Sequence, residues 1–293
     1  MRYTLALLFL VFCNALIFGQ TALRYNLNKD DVFIVKQEAQ QVITQELDGA
    51  IHELTNKIDG LLEFKVIGQV GDNYEIALTF RDLNLQMSSS IQGELMNVKA
   101  KEVKEGDMQS QIFNSLLNSP VQMLLAKTGD ILEVKGGDSL VVKMASASGV
   151  EDEFSLNVMK KSLGKEFGSE ALSNSYEQMT FIYPVAKLKV GDTWQNEYAG
   201  RLHAKNTWVL DALTEENAAI SGTAVIIMDV KEPSTTMKLN GTQETVITTD
   251  MASGFLLKMK VEGLSKGTST ITQMGDEEIP TTIKSTVTYE LIN

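Results

Sequence analysis

Gly71-Asp72-Asn73-Tyr74-Glu75-Ile76-Ala77-Leu78-Thr79-Phe80-Arg81-Asp82-Leu83-Asn84-Leu85-Gln86-Met87 is the stretch on which the fold turns. Gly71-Asp72-Asn73 is turn chemistry. After it, Tyr74, Ile76, Leu78 and Phe80 alternate with polar or small residues, the period of a strand with one buried face. At Arg81-Asp82 the phase slips by one, and Leu83, Leu85 and Met87 continue at the other parity. In a regular strand that slip would turn the second apolar set away from the first. A β-bulge near Arg81-Asp82 restores a common face and bends the strand.

The same period spreads outward in both directions. Leu62, Phe64 and Val66 alternate, as do Leu140, Val142 and Met144, then Trp208 and Leu210. Phe255, Leu257, Met259 and Val261 form a further set. Ile283, Val287, Tyr289 and Leu291 predict a last strand, with Thr282, Lys284, Thr286 and Thr288 facing out. Turn signals separate many of these runs, at Thr128-Gly129-Asp130, Gly136-Gly137-Asp138 and Ser253-Gly254. Two stretches read as helix instead. Ile112, Phe113, Leu116 and Leu117 follow a cap at Asp107 and stop at Asn118-Ser119-Pro120. From Asp152 to Met179, Leu156, Met159, Leu163 and Phe167 keep a three-four rhythm, and Gly168 divides the segment in two. The second helix carries Leu172, Tyr176 and Met179 on one face.

The expected architecture is α+β, mostly antiparallel sheet: a β-rich half over residues 20–150, a helical connector over 151–182 and a second β-rich half over 183–293. The halves echo each other. Leu27, Asp31 and Phe33 recur at the same spacing as Leu188, Asp192 and Trp194, which suggests an internal duplication. A fainter echo links Thr128-Gly129-Asp130-Ile131 with Ser253-Gly254-Phe255.

Residues 1–19 read as a secretory signal peptide. Arg2 is followed by an apolar run from Leu5 to Phe18, and Gly19 offers a small residue for cleavage before Gln20. The run is short for a bilayer span of about 20 residues. Cys13 lies inside it behind the bulky Phe12, which disfavours a lipid-anchor cysteine. The expected location is therefore periplasmic or secreted, with no membrane span after cleavage. Removing the segment leaves no cysteine, so the exported fold rests on its core rather than on disulfides.

The chain is 43% hydrophobic and 22% charged, which suits a folded domain. Its formal net charge of −12 argues against nucleic acid as a partner. Catalytic chemistry is scarce. His52 and His203 are the only histidines, neither near a nucleophile motif. Asn26, Asn28, Asp30 and Asp31 offer oxygen ligands but lack the glycine and glutamate of a calcium loop. Glu215-Glu216 and Asp276-Glu277-Glu278 read as solvated turn charge, and Gly136-Gly137 lacks the lysine of a phosphate loop. No cofactor motif is present, and the protein is expected not to be an enzyme.

The chain resembles an uncharacterised family of exported Bacteroidetes proteins. The resemblance rests on Phe18-Gly19-Gln20, on Leu23-Arg24-Tyr25-Asn26-Leu27 with Asp31-Val32-Phe33, on Gly71-Asp72-Asn73-Tyr74 and on Lys189-Val190-Gly191-Asp192-Thr193-Trp194. It implies an exported β-rich fold and no catalytic role. Two functions lead these readings, ahead of an acid-dependent hydrolase whose carboxylates the sequence does not pair. In the first, a curved sheet holds an apolar or amphiphilic small molecule against Tyr74, Ile76, Leu78, Phe255, Leu257 and Met259. In the second, the chain is a structural or interaction protein that meets another envelope protein.

Overall fold

The structure is a computed structural model that describes residues 20–292 apart from 48, 199, 201, 233, 273, 274 and 276. The expected signal peptide, with Cys13, lies outside the described residues, as does Asp276. Among the described residues, twelve strands form one antiparallel sheet in the order β6-β5-β3-β2-β1-β12-β11-β10-β9-β8-β7, with β4 added to β3. Strands β1 (Val32–Leu47), β2 (Ala50–Val70), β3 (Asn73–Ser89), β4 (Gly93–Lys99), β5 (Val121–Leu125) and β6 (Ile131–Lys135) belong to the first half. Strands β7 (Thr193–Tyr198), β8 (Leu202–Leu213), β9 (Asn217–Glu232), β10 (Thr235–Asp250), β11 (Leu256–Ile271) and β12 (Ile279–Leu291) belong to the second. Pairing of β1 with β12, from Val35↔Leu291 to Gln45↔Thr281, joins the halves into one sheet.

The phase slip in β3 is a bulge. Leu61 faces Asp82 and Leu62 faces Phe80, so Arg81 is left without a partner on β2. Phe80 and Leu83 are both buried as a result, and the extra residue bends the strand. The Arg81 guanidinium turns outward onto the Glu63 carboxylate at 2.8 Å and donates to Asn118 Oδ1 at 2.7 Å.

Four helices are described. Helix α1 (Met108–Leu116) is capped by the Asp107 carboxylate, which accepts from the amides of Gln109 and Ser110. Helix α3 (Glu153–Phe167) and helix α4 (Ser169–Thr180) meet at Gly168, where the sequence weakens. Helix α2 (Gly137–Ser146) corrects the sequence reading, which took Leu140, Val142 and Met144 for a strand. Leu140, Val141, Met144 and Ala145 are buried and Val142 is exposed. That stripe has the helical period, and the apparent alternation is a by-product of it. Gly136-Gly137 accordingly opens a helix rather than a hairpin.

The two halves begin with the same turn. The Asp31 carboxylate accepts from the amide of Asn28 at 2.7 Å, and the Asp192 carboxylate accepts from the amide of Lys189 at 3.0 Å. The residue before each aspartate has positive φ, 73° at Asp30 and 90° at Gly191. Asp30 and Asp31 bond the backbone of Val66, and Gly191 and Asp192 bond that of Leu210 in the same pattern. Each aromatic then enters its strand opposite another aromatic, Phe33 against Phe64 and Trp194 against Trp208. Leu27 and Leu188 are buried beside their turns.

Candidate functional site

The structure brings most of the expected lining residues together, but as core. Tyr74, Ile76, Leu78, Phe255 and Met259 are buried in one cluster. Leu257 departs from them. Thr248 faces Lys258 and Thr249 faces Leu256, so Leu257 is the bulged residue and is half-buried, while Leu256 takes the fully buried place. None of the six lines either of the two cavities described below, nor the smaller ones beside Asp229 and beside Glu94.

The concave face is occupied by the chain itself. Leu23, Tyr25 and Leu27 lie buried in the same cluster as Tyr176 and Met179 of α4 and Tyr183 after it. Phe255 stacks on Phe33 with ring centres 4.0 Å apart, and Tyr25 meets Tyr183 edge-on at 5.4 Å. Tyr25 donates to the Thr180 carbonyl, Tyr74 to the Tyr25 carbonyl and Tyr183 to the Gly254 carbonyl. Burial pushes the phenols of Tyr25, Tyr176 and Tyr183 well above their ordinary range, so they stay neutral. Two glycines let the hairpins close on this filling. A Cβ at Gly129 would stand 1.7 Å from the Thr180 carbonyl oxygen, and one at Gly254 would stand 2.1 Å from that of Arg24.

The open concavities are polar. The larger, about 660 Å³, is a groove across β12, β1, β2, β3 and β4 on the face opposite the core. Its side chains come from residues paired across neighbouring strands: Glu38 with Asp59, Gln40 with Lys57, and Lys57 with Gln86. Strand alternation puts these outward whenever Val35, Leu62 and Phe80 point inward. Lys36 holds Glu38 at 2.5 Å and lies 4.0 Å from Asp59, which also accepts from Asn84. Among the described residues, the side chains of Gln40, Lys57 and Gln86 make no hydrogen bond within the chain and can meet a partner.

The second concavity, about 580 Å³, lies where the sheet does not close. Its wall includes Asn174 and Gln178 of α4 and Tyr198 and Leu202 of the β7–β8 hairpin. Strands β6 and β7, the two ends of the sheet order, do not pair with each other among the described residues, and α4 packs on both. Trp194 Nε1 donates to the Ile182 carbonyl, and Asn196 and Tyr198 donate to that of Phe181, so β7 satisfies the carbonyls that follow α4. Nearby, Glu177 is pushed up to about 7, first by burial and then by its hydrogen bond to Asp130 and that group's charge.

The remaining candidates stay apart. His203 is exposed on β8, and His52 sits on β2 with a buried Nδ1 that has no partner. Glu215 and Glu216 occupy the β8–β9 turn. Among the described residues, no cluster of three His, Cys, Asp or Glu side chains is placed to hold a metal, and no helix is long and apolar enough to cross a membrane. The sequence reading missed the groove and the Glu177–Asp130 pair. The alternation of Glu38 with Gln40 and of Lys57 with Asp59 was a signal for the groove, whereas nothing local links Glu177 to Asp130.

A family model described as a family of unknown function, DUF6263, matches residues 71–256, more than half of the chain. No curated protein matches the sequence. Among solved structures, DynF from the dynemicin biosynthesis pathway of Micromonospora chersina aligns at 7% identity over 92% of this chain and 85% of that one, with a TM-score of 0.24. An outer membrane channel from Pseudomonas putida F1 aligns at 8% identity over 92% of this chain and 97% of that one, with a TM-score of 0.30. Likenesses of that size carry no argument about function.

Proposed function

Because the chain belongs to DUF6263, a family of unknown function, its role rests on its own surfaces, and we propose that it is an exported, non-catalytic interaction protein of the cell envelope. The observation that supports this reading is the division of its two faces. The concave face is filled by the protein's own Tyr25, Tyr176, Tyr183 and Phe255, which leaves an apolar ligand no room in a close-packed interior. The opposite face keeps a polar groove of about 660 Å³ with unspent Gln40, Lys57 and Gln86. Those groups suit a hydrogen-bonding protein partner rather than an acyl chain. Export rests on the apolar segment before Gln20.

Native and intact mass spectrometry of protein recovered from the producing cell tests both parts. Export with cleavage gives a mass that starts at Gln20. The interaction reading gives a bare chain with no retained lipid, and no fatty acid displaces an environment-sensitive dye from it. A photo-crosslinker at Gln86 then captures an envelope protein that the same group at Lys238, on β10, does not. A co-purified amphiphile, or equal capture from both positions, overturns the reading.

A further inference from the structure

A row of polar side chains crosses the inner face of the sheet beyond its aromatic filling. Strand pairing sets Asn206 of β8, Gln243 of β10, Ser285 of β12, Gln41 of β1 and Asn56 of β2 in one line, joined through Ala224 and Gly263. Each lies an even number of residues from a buried core side chain on its own strand: Trp208, Ile247, Tyr289, Val35 and Leu62 respectively. All five therefore point to the core side of the sheet. Val261 and Trp208 border the row on the side of the aromatic cluster, and Ile226, Leu239 and Ile283 are buried on its other side, outside that cluster.

The row is short of partners. Gln243 is only 5% exposed, and its side chain makes no hydrogen bond among the described residues; the same is true of Ser265 on the adjoining row, also 5% exposed. The Asn206 amide reaches the Ala204 carbonyl only at 3.5 Å. Asn56 donates to Gln41 Oε1 at 3.4 Å, which leaves Asn56 Oδ1 buried and unpartnered. Polar groups withdrawn from water almost always find partners, so a run of them without any marks a place where a bound molecule supplies them. Gln41, Asn56 and Ser285 are half-buried, so this part of the inner face is reached from solvent. On these strands no Asp, Glu, Lys or Arg points inward in this row or in the two rows on either side.

We propose that this row is a binding site for a neutral, hydroxyl-rich small molecule of the saccharide class. Amides and hydroxyls both donate and accept, as sugar hydroxyls do, so each unspent group gains a partner without a charge being introduced. A charged ligand would lose its hydration here with no counter-charge to replace it. An acyl chain would leave the amides unpaired. The apolar neighbours Val261 and Ile283 match the C–H faces of a sugar ring. The site lies on the opposite face of the sheet from the groove at Gln86, so its occupancy and the capture of a protein partner at Gln86 succeed or fail separately.

Saturation-transfer NMR of the full chain with glucose, N-acetylglucosamine and maltose, each up to about 10 mM, tests the site. At least one of the three is expected to bind, and glucuronate, which carries a carboxylate, about tenfold more weakly. Gln243→Leu and Gln41→Ala should each weaken the bound sugar about threefold to tenfold. Gln41 is half-buried, so Gln41→Ala decides the matter if Gln243→Leu does not fold. Lys238→Gln, facing outward on β10, should leave binding unchanged. No binding of any of the three sugars, glucuronate binding as tightly as they do, or binding untouched by Gln41→Ala overturns the proposal.

Discussion

Phe33 and Phe255 stack with ring centres 4.0 Å apart and planes within 7° of parallel, so the first strand of the sheet and the start of β11 share one aromatic contact. The pair sits where β1, the N-terminal segment and the β10–β11 turn converge. Phe255 also meets Tyr25 and Phe64. Phe255 is buried and Phe33 only half-buried. Phe255→Ala is expected to cost about 3–5 kcal/mol in chemical denaturation, and Phe33→Ala less. The neighbouring bulge makes a second contrast. Met259→Ala should cost about 2–5 kcal/mol, and Leu257→Ala clearly less, because Leu257 stands outside the close-packed row. Equal costs would mean that the bulge is misplaced.

The paired opening turns predict opposite effects at equivalent positions. Asp30 has φ of 73°, which an L residue tolerates poorly, whereas Gly191 adopts 90° without penalty. Asp30→Gly should be neutral or stabilising, and Gly191→Ala should destabilise by about 1 kcal/mol or more. Loss of the turn acceptor in Asp31→Ala or Asp192→Ala should cost about 1 kcal/mol in each case. Thermal melts of the four variants check the equivalence of the turns.

Gly254 is the position where the β10–β11 turn meets the N-terminal segment. Its φ is 70°, and a Cβ would lie 2.1 Å from the Arg24 carbonyl oxygen. Gly254→Ala should destabilise by about 2 kcal/mol or more, through backbone strain and overlap together. Limited proteolysis should then cut near Leu23 and Tyr25 faster than in the parent chain, since their filling of the concave face is what the overlap displaces.

Asp152 caps α3 by accepting from Ser155, and these bonds to its hydroxyl and amide hold the carboxylate below its ordinary range. A carboxylate depressed on folding stabilises above its unfolded value and loses that contribution as pH falls through the folded one. Fraying of α3 is therefore expected below about pH 4, visible as loss of helical circular dichroism. Asp152→Asn, which caps without ionising, should remove that acid dependence.

The residues show why some of the structure was legible and some was not. The bulge at Arg81 was written into β3 because a slip between apolar parities is a local signal, visible in one strand alone. The bulge at Leu257 was not. Phe255-Leu256-Leu257 is apolar throughout, and only the register against Thr248 and Thr249 selects which side chain is expelled. Leu140, Val142 and Met144 fit a strand by chance, and packing against the rest of the helix layer resolved them as one face of α2. The turn aspartates were legible because Asp31 and Asp192 act on amides three residues away.

By itself, the sequence determined that β3, β11 and β12 are strands with one buried face, where β3 bends, where the turns at Asp31 and Asp192 lie and which motifs lack their residues. These properties depend on neighbours two to four positions away, the range over which strand and helix periods and turn bonds act. The tertiary structure decided what fills the curve. The sheet presents an apolar concave face whether a ligand or the chain occupies it, and the occupant came from Tyr25 and from Tyr176 and Tyr183, far along the chain. It also opened the groove above Lys57 and Gln86. Such arrangements depend on how long strands twist and which edges α4 spans, and side-chain burial across the sheet fixes them only once every strand is in place.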